Sequence, residues 1–261
     1  MRLAPTVIAA LCALAGTAAA ANEQPMPDAA QLKSMEARFA PVDVKVDVSY
    51  LPAEERAALV RLIEASRYID ALFLRQRSPG LEATLLQLLS DDTPLGQARL
   101  SYFLLNRGPW SELDEDRLFV PGAGAKPPGG NFYAAGASRE EVDAWMKTLQ
   151  GEQRDAALGF FTTIRRTPEG KLTTVPYSLE YQGELAEMAR LLREAAALTK
   201  QPTLKSFLEK RADAFVSNDY YASDVAWMEL DASIEPTIGP YEVYEDEWFN
   251  FKAAFEAFIA L

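Results

Sequence analysis

The chain has 261 residues, of which 49% are hydrophobic and 25% are charged, and this composition is typical of a globular protein. Its formal net charge of −12 argues against nucleic acid and anionic lipid as partners, because both need a basic protein face. The sequence contains no histidine, which excludes Ser-His-Asp and Cys-His catalysis and any imidazole metal site built from these residues alone. A general acid or base here must be Asp, Glu, Lys or Tyr.

Residues 1–21 have the pattern of a secretory signal. Arg2 supplies the positive start, residues 7–15 form an apolar run, and residues 18–21 are four alanines that suit cleavage after Ala20 or Ala21. The alternative, an uncleaved membrane anchor, is disfavoured because the run is too short to cross a bilayer. The lone Cys12 leaves with the signal, so no disulfide is expected. We expect a secreted, periplasmic protein that is not attached to a membrane after cleavage.

The polar segment 22–41 is expected to be a flexible leader before one folded region, residues 42–261. Apolar residues at three- and four-residue steps predict a long helix over 52–78, and shorter helices are expected over 81–89 and 95–105. A Ser-x-x-Glu capping box at Ser138 predicts the start of another helix. A hairpin is expected over 160–177, an extended stretch over 233–243, and further helices over 179–199, 202–217 and 219–230.

The stretch 107–136 is irregular, yet it carries six large apolar residues, so we expect an ordered loop rather than a linker. Its segment 121–130 is rich in glycine and proline but lacks a Gly-Lys-Ser/Thr ending, which argues against a phosphate cradle. The acidic runs 91–92 and 114–116 do not fit an EF-hand, and we interpret them as solvated loop charges.

The stretch 238–248 places several acidic and phenolic side chains together. If it is extended, Glu242 and Tyr244 point to one face, where a carboxylate and a phenol can hold an ammonium and a carbonyl oxygen. The alternative is an exposed edge strand with aromatic packing, and the spacing alone favours this alternative.

Residues 238–246 read Ile-Gly-Pro-Tyr-Glu-Val-Tyr-Glu-Asp, and residues 255–258 read Phe-Glu-Ala-Phe. Together they resemble a stretch of the dipeptidyl-peptidase III family, zinc metallopeptidases that remove dipeptides from peptide N-termini. The stretches 106–110, 121–127 with 131–133, and 211–215 with 223–228 resemble the bacterial branch of that family, which also occurs fused to Nudix domains in plants. The resemblance covers about residues 43–261.

The resemblance implies a role for two residues. Glu242 matches the glutamate that binds the free amino group of the substrate, and Tyr244 matches the tyrosine that holds the scissile carbonyl and steadies the oxyanion. It also implies the fold class, which is mainly α with a minor β component (α+β), as the N-terminal part of a two-lobed protein. The expected partner is a peptide substrate, bound in a cleft between a mixed lobe and a zinc lobe.

One departure from the family is clear. The family's zinc motif is His-Glu-x-x-Gly-His, followed by a further glutamate ligand, and a chain without histidine lacks it. We therefore expect an N-terminal fragment that lacks the C-terminal zinc lobe, holds no cofactor of its own although the full-length family uses zinc, and is inactive alone. No Nudix box is present. The alternatives are a non-catalytic periplasmic peptide-binding protein that uses Glu242 and Tyr244, and an unrelated carboxylate-dependent hydrolase that uses Asp114.

Overall fold

The computed structural model describes residues 25–261, so the predicted signal and the first three residues of the predicted leader lie outside it. Within this range, ten α-helices supply most of the regular structure, and six short strands form three two-stranded antiparallel sheets. The prediction of a mainly α protein with a minor β component is confirmed. None of the helices in residues 25–261 combines the length and the apolar character that crossing a membrane requires.

The helices and strands follow one another along the chain, with the sheets formed by sequence neighbours. The helices are α1 (Ala29–Glu36), α2 (Ala53–Arg77), α3 (Leu81–Leu89), α4 (Pro94–Asn106), α5 (Arg139–Thr148), α6 (Gly151–Leu158), α7 (Tyr177–Glu180), α8 (Gln182–Leu198), α9 (Pro202–Ser217) and α10 (Tyr221–Met228). The strands are β1 (Trp110–Ser111), β2 (Arg117–Leu118), β3 (Thr162–Arg166), β4 (Leu172–Pro176), β5 (Glu235–Glu242) and β6 (Ala254–Ala260).

The long helix α2 matches the predicted helix over 52–78 within one residue at each end. Its apolar residues at three- and four-residue steps form a buried stripe that includes Leu62, Ile69 and Leu72. Two glutamates in the first turn and two arginines in the last turn complement the helix dipole. The predicted helices over 81–89 and 202–217 also form, as α3 and α9.

The prediction of a flexible leader over 22–41 differs from the structure, because residues 29–36 form α1. The Asp28 carboxylate accepts a hydrogen bond from the Gln31 backbone N–H at 2.8 Å, and the Gln31 side chain accepts one from the Asp28 N–H at 2.9 Å. This reciprocal cap satisfies backbone donors at the helix start. Leu32 is fully buried in the same apolar cluster as Tyr102 and Phe103 of α4. The capping and the packing together order a segment too short for its sequence periodicity to reveal.

Two other local predictions can be compared with the structure. The hairpin β3–β4 forms as expected around residues 167–170, with Thr163 opposite Val175. At the start of α5, the Ser138 hydroxyl accepts a hydrogen bond from the Glu141 N–H at 3.1 Å. The glutamate half of the expected capping box is absent, because the Glu141 carboxylate forms an ion pair with Arg166 at 2.8 Å instead.

The loop over 107–136 is ordered, as predicted. Trp110, Phe119, Phe132 and Tyr133 are all buried, and the short strands β1 and β2 pair within it. The indole N–H of Trp110 donates to the Gly124 carbonyl at 2.8 Å, which fixes the glycine- and proline-rich part of the loop.

Two apolar clusters form the core. The larger one joins α2, α8, α9 and the β5–β6 sheet, and the smaller one joins α1, α3, α4 and the loop that carries Trp110. Helix α2 contributes to both clusters, with Leu72 in the larger and Leu74 in the smaller. The two clusters are therefore tied together by one continuous helix.

Residues 41–48 belong to no helix or strand. We call residues 42–48 the valine segment, because valine occupies every second position. Val42, Val44 and Val46 are exposed, whereas Val48 packs against the larger cluster. No backbone–backbone hydrogen bond joins residues 41–47 to another described residue.

Candidate functional site

The candidate site begins where β5 ends. Strand β5 pairs with β6, with Gly239 opposite Glu256 and Glu242 opposite Ala254, and the register shifts between Pro240 and Glu242. This irregularity is typical of a β-bulge, which redirects side chains near sites. The expected extended stretch thus exists but stops at Glu242, and Tyr244 lies in the loop that follows rather than on a shared strand face. We call residues 243–253 the β5–β6 loop.

Glu242 and Glu256 lie side by side. Burial, together with a hydrogen bond to Glu242 and the negative charge of Glu242, raises the pKa of Glu256 to about 7. Near neutral pH the Glu256 carboxyl is therefore protonated for part of the time. An ammonium ion that binds between them replaces this proton and removes the repulsion between the two carboxylates.

Tyr244 is 60% exposed, and its phenol lies close enough to this pair for both carboxylates to act on it electrostatically. Partial burial, followed by the charges of Glu242, Glu245, Glu256 and Glu112, raises the pKa of the Tyr244 phenol. The phenol is therefore protonated at neutral pH and can donate a hydrogen bond. A carbonyl oxygen that gains negative charge is a suitable acceptor for it.

The β5–β6 loop is held by the buried carboxylate of Asp246. Tyr133 donates its hydroxyl to Asp246 Oδ2 at 2.6 Å, and burial with the charge of Asp246 raises the pKa of this phenol. The same carboxylate accepts hydrogen bonds of 2.9–3.3 Å from the backbone N–H groups of Trp248, Phe249, Phe251 and Lys252. One side chain thus satisfies the donors of a loop that has no regular structure.

The C-terminal end of helix α2 also holds this loop, through the side chains of Gln76 and Arg77. The Arg77 side chain is 2% exposed, and its Nε donates to Glu245 Oε2 at 3.2 Å. Burial raises the pKa of the Glu245 carboxyl, while Arg77 and Lys126 oppose this shift. The Gln76 amide donates to the Ala253 carbonyl at 3.2 Å and accepts from the Phe255 N–H at 2.8 Å, which fixes the start of β6.

Strand β5 is positioned by a second buried arginine. Arg211 is fully buried and donates through Nη2 to Asp224 at 2.6 Å and to the Tyr241 hydroxyl at 2.5 Å. Gly239 passes so close to it that a Cβ there would lie 2.9 Å from Arg211 Nη1. This contact explains why glycine occupies that position in the Ile-Gly-Pro-Tyr-Glu stretch.

An open cavity of about 230 Å³ lies beside the end of β5. Aromatic side chains dominate its lining, and Asp224 is its charged residue. The lining consists of Phe160, Phe161, Tyr220, Asp224, Pro240, Tyr241, Val243 and Ala253.

The other acidic runs form local contacts rather than a second site. Asp114 forms an ion pair with Arg38 at 2.5 Å and accepts from Ser111, and these contacts lower the pKa of Asp114 to about 2. A carboxylate with so low a pKa is a poor general base, so the geometry does not favour a hydrolase that uses Asp114. Asp91 accepts from the backbone N–H and the hydroxyl of Thr93 before α4. In the glycine-rich segment, Lys126 binds the carboxylates of Glu247 and Asp116.

The zinc implied by the resemblance does not fit the residues present. The sequence contains no histidine. Among residues 25–261, no three carboxylate, histidine or cysteine side chains come together as a possible metal site. The carboxylate pair of Glu242 and Glu256 alone falls short of the three protein ligands of a catalytic zinc site.

Sequence reasoning pointed to Glu242 and Tyr244, and it gave no role to Glu256, Arg77 or Arg211. Glu256 lies within the Phe-Glu-Ala-Phe stretch and Arg211 within another stretch that resembles the family. The resemblance therefore included both residues but implied no role for either. Arg77 carried no signal beyond its place in the last turn of α2. The structure brings Glu242, Glu256 and Tyr244 together. Arg77 and Asp246 hold the loop that carries Tyr244.

No protein-family model matches the sequence. The structure superimposes on that of dipeptidyl-peptidase III from Corallococcus sp. strain EGB with a TM-score of 0.89 and 65% sequence identity, over 90% of this chain and 44% of that chain. The chain belongs to the dipeptidyl-peptidase III family. A second structure, DPP III from Caldithrix abyssi, matches with a TM-score of 0.83 and 44% identity, over 87% of this chain and 43% of that chain.

The chain is also similar to Nudix hydrolase 3 of Arabidopsis thaliana. The two are 33% identical over 274 aligned positions, which cover 86% of this chain and 35% of the plant protein. The chain thus spans less than half the length of each of these three relatives. The resemblance to dipeptidyl-peptidase III and to a Nudix-named plant protein, predicted from the sequence motifs, is confirmed.

Proposed function

We propose that this chain supplies the part of a secreted, zinc-dependent dipeptidyl peptidase that binds the substrate's amino terminus. The observation that carries the proposal is the carboxylate pair of Glu242 and Glu256 beside the protonated phenol of Tyr244. A peptide that begins with an ammonium group matches the pair, and a nearby peptide carbonyl matches the phenol. Recognition of the free amine accounts for cleavage near the N-terminus rather than within a chain.

The remaining chemistry is proposed to lie outside this sequence. Family membership supports zinc as the metal of the complete enzyme, while this chain has no histidine to bind it. We therefore expect the partner of this chain to be a zinc lobe that closes the cleft over Glu242 and Tyr244, and the chain alone to be inactive. Residues 1–21 support export to the periplasm, and the net charge of −12 does not favour nucleic acid or anionic membrane as a partner.

A second candidate function is binding of peptides without cleavage. The proposed groups for the amine and the carbonyl are all in this chain, so binding does not depend on the metal. In this case the protein would retain free-amine peptides in the periplasm and release them unchanged.

Peptide binding by the chain tests the shared part of both candidates. We expect the chain to bind a tetraalanine peptide with a free amine, measured by calorimetry at pH 7.5, and to bind its N-acetylated form at least about tenfold more weakly, since a charge-assisted contact contributes about 1.5–3 kcal/mol. Glu242→Gln should remove most of this difference. Glu235→Gln, on the exposed start of the same strand, is the matched control and should leave it unchanged.

Two results separate or remove the candidates. Equal affinity for the free and the acetylated peptide in the unchanged chain contradicts both of them. The chain is also incubated with the peptide and added Zn²⁺, and the products are separated by chromatography. Release of Ala-Ala would contradict the expectation that the chain is inactive alone.

A further inference from the structure

Three stretches singled out by the sequence have no role in the proposed chemistry: residues 106–110, 121–130 and 131–133. In the structure all three lie against the β5–β6 loop or against the helix end that holds it. The N–H of Glu247 donates to the Pro128 carbonyl at 2.8 Å, and the hydroxyl of Tyr133 donates to Asp246 at 2.6 Å. These stretches therefore form one support under the loop that carries Tyr244.

Arg77 lies at the centre of this support. Its Nη1 donates to the carbonyls of Asn106 and Arg107 at 2.5 and 3.1 Å, and its Nη2 donates to Glu112 at 2.7 Å. Its Nε donates to Glu245, the residue that follows Tyr244, at 3.2 Å. One guanidinium thus joins α2, the 106–112 segment and the β5–β6 loop.

Only an arginine can make this set of contacts. The planar guanidinium directs donors to several acceptors at once, whereas a lysine has a single charged nitrogen. The guanidinium carbon also lies 5.6 Å from the Phe73 ring centre and 5.9 Å from that of Trp110, so packing fixes its plane. Gly108 keeps this space open, because a Cβ there would come 3.1 Å from the Trp110 ring and 3.4 Å from Arg77 Nη1.

The glycine-rich segment 121–130 reaches the loop from the other side. Lys126 forms ion pairs with Glu247 at 3.0 Å and Asp116 at 3.5 Å. Gly129 faces Trp248 so closely that a Cβ would lie 2.7 Å from the indole ring. Glu245 and Glu247, both close in sequence to Tyr244, are thus fixed by cations from two different parts of the chain.

We propose that Arg77 is a positioning residue for Tyr244, acting through Glu245 and the β5–β6 loop, with Lys126 as its counterpart on Glu247. Arg77 does not touch the substrate. It holds the phenol of Tyr244 where a peptide carbonyl can reach it. This inference rests on the proposed function of Tyr244, and the geometry of the support is independent of that function.

The test compares two charge-conserving variants and one charge-removing variant in the full chain. Arg77→Lys keeps the positive charge but loses the planar guanidinium that donates to several acceptors at once. Arg75→Lys is the matched control, because Arg75 lies on the same helix and binds Glu184 and the Glu180 carbonyl, away from the loop. Lys126→Gln is a second, milder variant in case Arg77→Lys does not fold. Each protein carries ¹³Cζ-labelled tyrosine, and Tyr244→Phe assigns the Tyr244 signal.

Two quantities are measured for each folded variant. The first is the pKa of the Tyr244 phenol between pH 7 and 11.5. The second is the affinity for free-amine tetraalanine relative to its acetylated form. We expect Arg77→Lys and Lys126→Gln to lower this phenol pKa by at least about 0.3 unit, because Tyr244 leaves its carboxylate neighbours. They should weaken free-amine binding at least threefold, and Arg75→Lys should change neither quantity.

The sign of the titration shift separates loop movement from a simple charge effect. Loss of a nearby cation alone would raise the phenol pKa, whereas release of the loop lowers it. A folded Arg77→Lys protein with an unchanged Tyr244 titration, or an equal change in Arg75→Lys, overturns the proposal. If the unchanged chain does not distinguish free from acetylated peptide, the proposed function fails, and the titration still decides whether Arg77 positions Tyr244.

Discussion

The β5–β6 loop and the valine segment both lack helix and strand, yet they differ completely in how they are held. The β5–β6 loop is fixed by Asp246, which accepts four backbone N–H groups and the Tyr133 hydroxyl. The valine segment, residues 42–48, has three exposed valines and charged side chains between them. Its residues 42–47 make no backbone–backbone hydrogen bond to another described residue.

The comparison shows that order in irregular structure depends on partners for the backbone, not on regular dihedral angles. A buried carboxylate can replace the neighbouring strand as the acceptor for a run of N–H groups. The valine segment has the alternation of a strand but no such acceptor, and the side chains of Val42, Val44 and Val46 remain exposed to water. Tyr244 of the candidate site lies on the segment that is held, between Glu242 of β5 and Glu256 of β6.

The largest effect is expected for Asp246→Ala. Loss of the carboxylate leaves buried N–H donors and the Tyr133 hydroxyl without an acceptor, so the free energy of unfolding should fall by about 3–5 kcal/mol. Asp43→Ala in the valine segment removes an exposed carboxylate that pairs with Lys45. It should change the free energy of unfolding by less than about 0.5 kcal/mol. Urea denaturation at pH 7 measures both, and equal effects would contradict the comparison.

A smaller effect is expected for Gly129→Ala. The new Cβ would lie 2.7 Å from the Trp248 ring, so the indole must shift, at a cost of about 1–3 kcal/mol. Gly124→Ala is the control, since its Cβ meets nothing within 4 Å. The indole N–H signal of Trp248 should move only in the first variant. An unshifted signal in Gly129→Ala would mean that the glycine-rich segment does not support the loop.

The carboxylate pair of Glu242 and Glu256 should make peptide binding depend on pH. As pH rises through about 7, Glu256 loses its proton and the pair gains a negative charge, so affinity for a peptide ammonium should increase. Above about pH 8 the peptide amine itself deprotonates and affinity should fall. Calorimetry from pH 5.5 to 9 should therefore give a maximum between these values.

Glu256→Gln separates the two limbs of this profile. It removes the ionisation near pH 7, so the rise should vanish while the fall above about pH 8 remains. The loss of affinity at the maximum should be about fivefold, since one extra charge at 4 Å contributes about 1 kcal/mol in water. A rising limb that persists in Glu256→Gln would assign it to another group.

The smallest effect is expected in the valine segment. Val44 is 84% exposed, and Val44→Thr should change the free energy of unfolding by less than about 0.5 kcal/mol. Val142→Thr is the matched control, because Val142 is fully buried on α5 and its replacement should cost at least about 1 kcal/mol. A large loss in Val44→Thr would show that this segment is packed in solution.

Helices α2 and α9 were predictable from sequence because each has an apolar repeat and an end signal. Helix α2 carries that repeat over 25 residues, and α9 begins with Pro202 at a favoured first position. Helix α1 was missed because its eight residues contribute mainly one buried leucine. Its order comes from the cap between Asp28 and Gln31 together with contact with α4, and the local sequence does not encode the second.

The site was predictable only in part. The motif stretch pointed to Glu242 and Tyr244, and period-two spacing predicted that they share a strand face, whereas Tyr244 lies in the loop after β5. Glu256 joins Glu242 because β6 folds back on β5 with a defined register, and Arg77 reaches Glu245 through tertiary packing. Sequence spacing carries no information on either encounter.

The contacts under the β5–β6 loop also set an order of assembly. The bond between Arg77 and Glu245 spans 168 positions of the chain, and the two bonds of the Gln76 amide span 177 and 179. Closing such long loops is slow, so this region belongs to the late steps of folding. During synthesis from the N-terminus, α2 and the 106–133 region are already made when residues 243–253 emerge. The segments that contact the β5–β6 loop are thus synthesised before Tyr244, and the loop packs onto them in a late step of folding.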